Sequence, residues 1–487
     1  MARRRLCRVR RRAREAGRAT TGILCIQGTE CIARKNTTGD GTLATQTSPT
    51  SALPVEILPA SARINATGHL EIGGVDTVEL ARRFGTPLYV FDEAEIRRRC
   101  RAVRAAFQRE YPDALPIYAS KAYLDPSVAR IVAEEGLGLD VVSGGEIGVA
   151  QRAGFPLERA YFHGNNKQRE ELELALDAGV GHIVIDNFYE IELLEQVAAA
   201  KGRRARALLR VSPGVEAHTH DYLKTGILDT KFGFPLATGQ AAEAVARTLA
   251  QPHIELVGLH AHIGTQIFET LPYAETVDLL MQFAGEMQRQ HGFRLQQISP
   301  GGGWGINYTR TDTALPVEEW AQTVATAVRR GAEALGIPLP RLVIEPGRWI
   351  IGPAGVALYT VGATKEIPGV RTYVSVDGGM GDNIRPAIYG AKYEVIVCNK
   401  PVAVGTKTVT IVGKYCESGD FLVKDVTLPP LEPGDVVALP ASGAYCIPMS
   451  SNYCLIPRPA IVFVRDGEAR LVRRRKTVDD MLKAYVL

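Results

Sequence analysis

The eight cysteines, Cys7, Cys25, Cys31, Cys100, Cys398, Cys416, Cys446 and Cys454, include no Cys-x-x-Cys pair and no His/Cys metal spacing, which excludes a cysteine-based metal site. They read as free thiols of a reducing compartment, the cytoplasm. No apolar run approaches the roughly 18 residues that a membrane span needs. Gly22 to Ile26 is too short for a secretory h-region. Basic charge is scarce outside the N terminus: residues 1–50 hold 11 Lys and Arg against 3 Asp and Glu, a surplus larger than the +4 of the whole chain. The remainder is mildly acidic and has no basic stripe, so nucleic acid is not expected as a partner.

What is present is ordinary globular material. At 487 residues, 46% hydrophobic and 23% charged, the chain is long enough for two or three domains of a soluble protein. Residues 1–52, with Arg3-Arg4-Arg5 and Arg10-Arg11-Arg12 ahead of Thr/Gly-rich sequence, lack apolar periodicity. They read as a disordered basic extension, or an upstream start, rather than a targeting signal. Residues 53–92 are expected to contribute to a β domain, with a helix over Val75–Arg83, a strand over Pro87–Phe91 and further strands from Ile57–Ile72.

From about residue 93 a regular alternation begins. Apolar strands are predicted at Leu115–Ala119, Leu139–Val142, Ala160–His163, His182–Ile185, Ala207–Val211, Leu256–His262, Gln296–Ser299 and Leu342–Glu345. Amphipathic helices lie between them, among them Ile147–Ala153, Arg169–Ala178, Tyr189–Ala200, Gln240–Ala250, Thr276–Gln290 and Val317–Leu335. Eight β-α units in about 240 residues, with strands apolar throughout and so buried on both faces, predict a parallel (β/α)8 TIM-like barrel over residues 93–350. A doubly wound sheet is the weaker alternative. Residues 351–487 turn to short β-rich segments with Gly/Pro punctuation, such as Val356–Val361, Thr372–Val376, Tyr393–Val397, Thr408–Val412, Val436–Leu439 and Ala460–Arg465. They read as a C-terminal all-β domain closed by a helix over Val478–Tyr485.

Such a barrel carries its chemistry on the loops after the strands. Those loops hold Lys121, Asp140 and Ser143, His163 with Asn165-Asn166, Arg210, His260 and His262, Gly301-Gly302-Gly303, and Glu345 with Arg348. Most lysines are simply solvated. Lys121, at a strand's C-terminal mouth just before Asp125-Pro126 opens a helix, can instead bond covalently to an aldehyde cofactor. Gly301-Gly302-Gly303-Trp304-Gly305 is either a flexible turn or a backbone, free of Cβ atoms, that brings N–H groups onto a phosphate. His260 and His262 alternate on one strand, but no nearby carboxylate or cysteine completes a shell, so no metal is expected. Glu345 enters a dry barrel mouth, where it pairs with Arg348 or holds a protonated ring nitrogen.

Several segments carry, in order, a resemblance. They are Tyr118-Ala-Ser-Lys121, His163-Gly-Asn-Asn-Lys167, Arg210-Val-Ser-Pro-Gly-Val-Glu-Ala-His-Thr-His220, Lys231-Phe-Gly233 and His260-Ala-His-Ile-Gly-Thr265. Glu345-Pro-Gly-Arg348, Asp377 to Gly390, Cys416-Glu-Ser-Gly-Asp420 and Gly443-Ala-Tyr445 follow. From Ile57 to Leu487 the chain resembles the alanine-racemase-like, fold type III pyridoxal-phosphate decarboxylases, and among them most closely those acting on diaminopimelate. The resemblance implies decarboxylation of meso-2,6-diaminopimelate to L-lysine in lysine biosynthesis, by a homodimer with shared active sites.

Site roles follow from the same resemblance. Lys121 bonds pyridoxal 5′-phosphate, His262 stacks on its ring, and Gly264, Thr265 and Gly301, Gly302 and Gly303 hold the phosphate. Glu345 binds the ring nitrogen, with Pro346, Gly347, Arg348 and Tyr445 beside it. A carboxylate there keeps the nitrogen protonated and the ring a strong electron sink. Arg348, Arg385, Tyr389, Glu417 and Tyr445 hold the substrate's distal end, for which a guanidinium suits a carboxylate. Cys416, which together with Glu417 comes from the partner subunit, returns a proton to the α-carbon. Thr265 stands where serine is usual, Trp304 where a small or aliphatic residue is common, and Tyr123 and Cys454 at motif edges. Two alternatives stand beside this reading: a related decarboxylase of arginine, ornithine or carboxynorspermidine, and a catalytically silent paralogue.

Overall fold

The computed structural model describes residues 53–215 and 229–486. The basic extension and the Glu216–His220 end of the Arg210 segment lie outside the described residues. Eight parallel strands, in chain order Ala114–Ala119, Gly138–Val141, Ala160–Phe162, His182–Ile185, Ala205–Ser212, Ile254–His260, Gln297–Ser299 and Arg341–Ile344, pair each with the next. Leu342 of the last strand pairs in register with Ala114 of the first. That ladder closes the barrel expected from the sequence and rules out the open sheet. Inside it, Ile117, Tyr161, Val184, Leu208, Val257 and Val343 form one buried cluster, because eight strands leave an interior just wide enough for side chains.

Helix ends fall where capping chemistry puts them. Gln168 and Glu171 form a reciprocal capping box at the start of Arg169–Ala178, and Gly179, at φ 77°, ends it in the left-handed region. The helix expected from Val75 begins at Thr77 instead, because the Asp76 carboxylate accepts the Val78 and Glu79 N–H groups at 2.8 and 3.2 Å. One long helix, Glu93–Glu110, escapes the periodicity. Its buried face of Ile96, Cys100, Val103 and Phe107 is interleaved with Arg97, Arg98, Arg99, Arg101 and Arg104. These arginines lie along the surface with their heads engaged: Arg97 meets Glu93 and Glu134 at 3.0 and 2.7 Å, and Arg99 stacks 3.9 Å over the Trp349 ring.

A nine-stranded sheet forms the β domain. Its long strand Gly355–Ile367 pairs antiparallel with Leu88–Asp92, Arg371–Val376 and Val436–Leu439. Leu88–Asp92 also runs parallel to Ala460–Arg465, so the N-terminal segment places one strand inside a sheet built from C-terminal sequence. The Ile57–Ile72 region does not join that sheet. Arg63–Ile64, Leu70–Ile72 and Val75–Asp76 make a separate three-stranded sheet, with Leu70 and Ile72 packed against Leu88, Val356 and Val462. Phe421–Leu428 and Glu468–Arg473 edge the large sheet. Neither is anticipated, since an edge strand with charges such as Lys424, Asp425 and Arg470 lacks a continuous apolar pattern. Among the described residues no helix is long and apolar enough to cross a membrane.

Candidate active site

The loops after the barrel strands, together with Tyr445, form a cleft lined by Lys121, His262, Thr265, Gly303, Glu345, Pro346, Gly347 and Arg348 among others. Lys121 sits in the short turn Ser120–Ala122 that ends the first strand, with its Nζ 3.3 Å from Asp140 Oδ2 of the second. Burial works against its charge, but Asp140, then Tyr445 and Glu345, outweigh it, and the net shift of the lysine is upward.

Glu345 follows the eighth strand. Its Oε1 lies 3.0 Å from His260 Nε2, 3.2 Å from Ser299 Oγ and 3.6 Å from His163 Nε2. Burial disfavours the carboxylate; His260, then His163 and Lys121, more than offset it and hold Glu345 well below the usual carboxylate range. The expectation that no carboxylate stands near the histidines is thereby corrected. His163, His260 and Glu345 bring ligand atoms within 4.8 Å of one another, a spacing that could hold a metal ion. Strand spacing hides this, because the three come from strands three, six and eight and meet only when the barrel closes.

The pairing of Glu345 with Arg348 does not occur. Arg348 donates instead to Thr265 Oγ1 at 3.0 and 3.2 Å and to the Tyr308 hydroxyl at 2.5 Å, with its guanidinium 4.7 Å over the Tyr445 ring. His262 accepts the Gly302 N–H at Nδ1, 3.4 Å away, and burial pushes its imidazole well below the ordinary range. A neutral ring with an acceptor nitrogen follows.

The glycines are required by close approach. A Cβ at Gly302 would lie 1.9 Å from the Glu345 carbonyl oxygen, and one at Gly303, whose φ is +105°, would lie 2.0 Å from that of Gly264. Both obstacles are backbone and cannot yield. Trp304 turns away into the helix layer, stacked at 5.4 Å on Phe107 and 5.6 Å on Trp320. The bulk that departs from the usual small residue there serves as an anchor for the loop.

Seven expected residues are not among those lining the cleft: Gly264, Gly301 and Gly302, which belong to the same loops as Thr265 and Gly303, and Arg385, Tyr389, Cys416 and Glu417. Arg385 is buried at the start of the helix Arg385–Tyr389, donates to the Tyr393 hydroxyl, and lies 4.7 Å over the Tyr308 ring. Tyr389, half-buried, ends that helix. Cys416 and Glu417 are exposed on the loop before Phe421–Leu428, a loop held by Asp420, which accepts the Met380 and Tyr415 N–H groups at 2.6 and 2.9 Å. Tyr308 and Tyr393, which touch both guanidiniums or one, have no motif of their own; an aromatic residue three positions beyond Gly305 is the only cue to the first.

A family model described as "Pyridoxal-dependent decarboxylase, pyridoxal binding domain" matches residues 93–352, just over half of the chain. The chain belongs to the pyridoxal-dependent decarboxylases. It is 49% identical over 426 residues to the diaminopimelate decarboxylase of Bacillus subtilis, covering 88% of this chain and 97% of that one. Against the diaminopimelate decarboxylase of Mycobacterium tuberculosis it is 45% identical over 443 residues, covering 89% and 98%. Among solved structures it is similar to the diaminopimelate decarboxylase of M. jannaschii in complex with L-lysine, with TM-score 0.83, 33% identity and coverage of 88% and 98%.

The residues of this pyridoxal-dependent decarboxylase fit its cofactor, pyridoxal 5′-phosphate. Lys121 offers an amine, Glu345 a carboxylate, and the Gly301–Gly303 backbone a surface that no Cβ covers. Beside Lys121 and Glu345, two buried atoms, Asp140 Oδ1 and His163 Nε2, have no hydrogen-bond partner. Buried polar atoms left without partners mark a place made for a polar group.

Proposed function

We propose that the chain decarboxylates meso-2,6-diaminopimelate to L-lysine and carbon dioxide, in lysine biosynthesis and in the cytoplasm. The observation that carries the substrate assignment is Arg385. Its buried guanidinium meets the phenol rings of Tyr308 and Tyr393, and among the described residues it has no carboxylate partner. A buried cation without an anion is costly, and the distal carboxylate of a diamino dicarboxylic acid supplies one. Ornithine or arginine would leave it unpaired. The cytoplasmic assignment rests on five described cysteines, all free thiols.

In this reading Lys121 supplies the amine that anchors the cofactor aldehyde, and Asp140 orients it. His262, a neutral imidazole, would hold the ring. Gly264, Thr265 and Gly301–Gly303 hold the phosphate, with Pro346 and Gly347 closing that wall. Glu345, kept ionised by its histidine neighbours, would hold the ring nitrogen in its protonated form. When bound, the cofactor supplies an electron sink for the pair left on the α-carbon as carbon dioxide departs. Arg348, Arg385, Tyr389 and Tyr445 engage the substrate's distal amino-carboxylate, and Cys416 of the partner subunit protonates the α-carbon, assisted by Glu417 of the partner subunit. Exposure of Cys416 and Glu417 away from their own cleft supports a homodimer in which each chain completes its neighbour's site.

The test is carbon dioxide release by the cofactor-loaded protein from meso-diaminopimelate, arginine, ornithine and carboxynorspermidine in parallel. Release from diaminopimelate alone, with lysine as product, is expected. Release from another substrate would discard the Arg385 argument while keeping the role of Glu345, and release from none would favour a silent paralogue.

A further inference from the structure

Two loops face each other across the glycine-rich wall of the cleft. One, after the sixth strand, carries His262, Gly264 and Thr265; the other, after the seventh, carries Gly301–Gly303. Little regular structure joins them: a single parallel bridge between Ile267 and Trp304, with Ile267 N–H donating to the Gly303 carbonyl at 3.1 Å and Gly305 N–H to the Ile267 carbonyl at 2.7 Å. Gln266 extends this junction with its side chain. Its Nε2 donates to the Ile306 carbonyl at 2.7 Å and its Oε1 accepts the Ile306 N–H at 3.3 Å, so the amide imitates one more residue of paired backbone.

The backbone of Gln266 is held at φ +60°, a left-handed conformation that glutamine adopts only under constraint. Glycine would take it freely but has no amide to offer. The conformation turns the chain sharply straight after Thr265 while the side chain reaches back to Ile306. The neighbours on both sides are cleft residues, Thr265 on one loop and Gly303 on the other.

We infer that Gln266 is a positioning residue for the cofactor phosphate: by clasping Ile306 it sets the separation between Gly264-Thr265 and the Gly301–Gly303 backbone. This rests on the reading that the cleft takes pyridoxal phosphate. Gln266 touches neither cofactor nor substrate in this role and acts through the two loops alone.

Dissociation constants of the full chain for pyridoxal phosphate and for pyridoxal, which keeps the aldehyde and ring but lacks the phosphate, separate this role from general loss of structure. Gln266→Ala is expected to weaken pyridoxal phosphate about tenfold or more, since a two-pronged, part-buried contact is lost, and to leave pyridoxal binding within about twofold of wild type. Unchanged affinity for pyridoxal phosphate, or equal weakening of both compounds, overturns the inference. Should Gln266→Ala fail to fold, Gln266→Glu keeps the shape and the acceptor for Ile306 N–H but sets an oxygen against the Ile306 carbonyl, and the same comparison decides. A wild-type chain that binds neither compound overturns the cofactor reading itself, and this role with it.

Discussion

Lys121 and Glu345 show how one cleft keeps two opposite charges ionised: each lies in the field of the other, with Asp140 beside the first and His260 beside the second. Lys121→Ala is expected to lose the absorption band of the bound cofactor and nearly all turnover, a result read from a spectrum and a rate; normal turnover would exclude the mechanism. Glu146, in the helix Gly144–Ala153 that follows the second strand, carries a different consequence. Burial pushes its carboxyl up to about 7 from an ordinary 4.5, against the Val142 N–H that it accepts at 2.8 Å and with the help of Asp140. Below both values the folded and unfolded chains are equally protonated. Between them the unfolded chain ionises first, so stability falls as pH rises through this window, by about 3 kcal/mol at most. Glu146→Gln is expected to flatten that part of the melting-temperature profile; a profile parallel to wild type would refute it. Single residues were legible in the sequence where a motif marked them, as Lys121, His262 and Glu345 are, and illegible where only contact does, as with Tyr308, Tyr393 and Gln266.

Elements were legible where local chemistry is decisive. Arg169–Ala178 and Val317–Leu335 fall at the expected bounds, because an amphipathic stripe and a glycine stop need no distant partner. Glu93–Glu110 and the edge strand Phe421–Leu428 were not, since part of each charged face is accounted for by neighbours from elsewhere in the chain, Glu134 and Trp349 for the helix and Arg371 for the strand. The loop ahead of that strand supports a prediction of its own. Asp420→Ala leaves the Met380 and Tyr415 N–H groups without their acceptor, at about 1–3 kcal/mol for each buried group. The Cys416–Glu417 segment should then lose its fixed shape. The expected outcome is a kcat lower by about tenfold or more with cofactor content unchanged, measured by turnover and absorbance on the same sample; lost cofactor would show that the damage reaches the barrel instead.

At the scale of the molecule, the exposure of Cys416 outside the cleft that Lys121 lines makes a shared site testable by mixing. Lys121→Ala and Cys416→Ala proteins, each inactive, should regain activity when dissociated and reassembled together, up to about a quarter of wild type if subunits pair at random; no recovery would place both residues in one chain's site. The sequence alone determined the order of strands and helices, the barrel they make and the motifs at the strand mouths, because hydrophobic period, caps and glycines act over short distances. Only the tertiary structure decided that Glu345 meets His260 and not Arg348, that Leu88–Asp92 enters a sheet built from residues far along the chain, and that Cys416 stands clear of its own cleft. Each of these is decided by residues distant in sequence, which closure of the barrel and packing of the β domain bring within reach or keep apart.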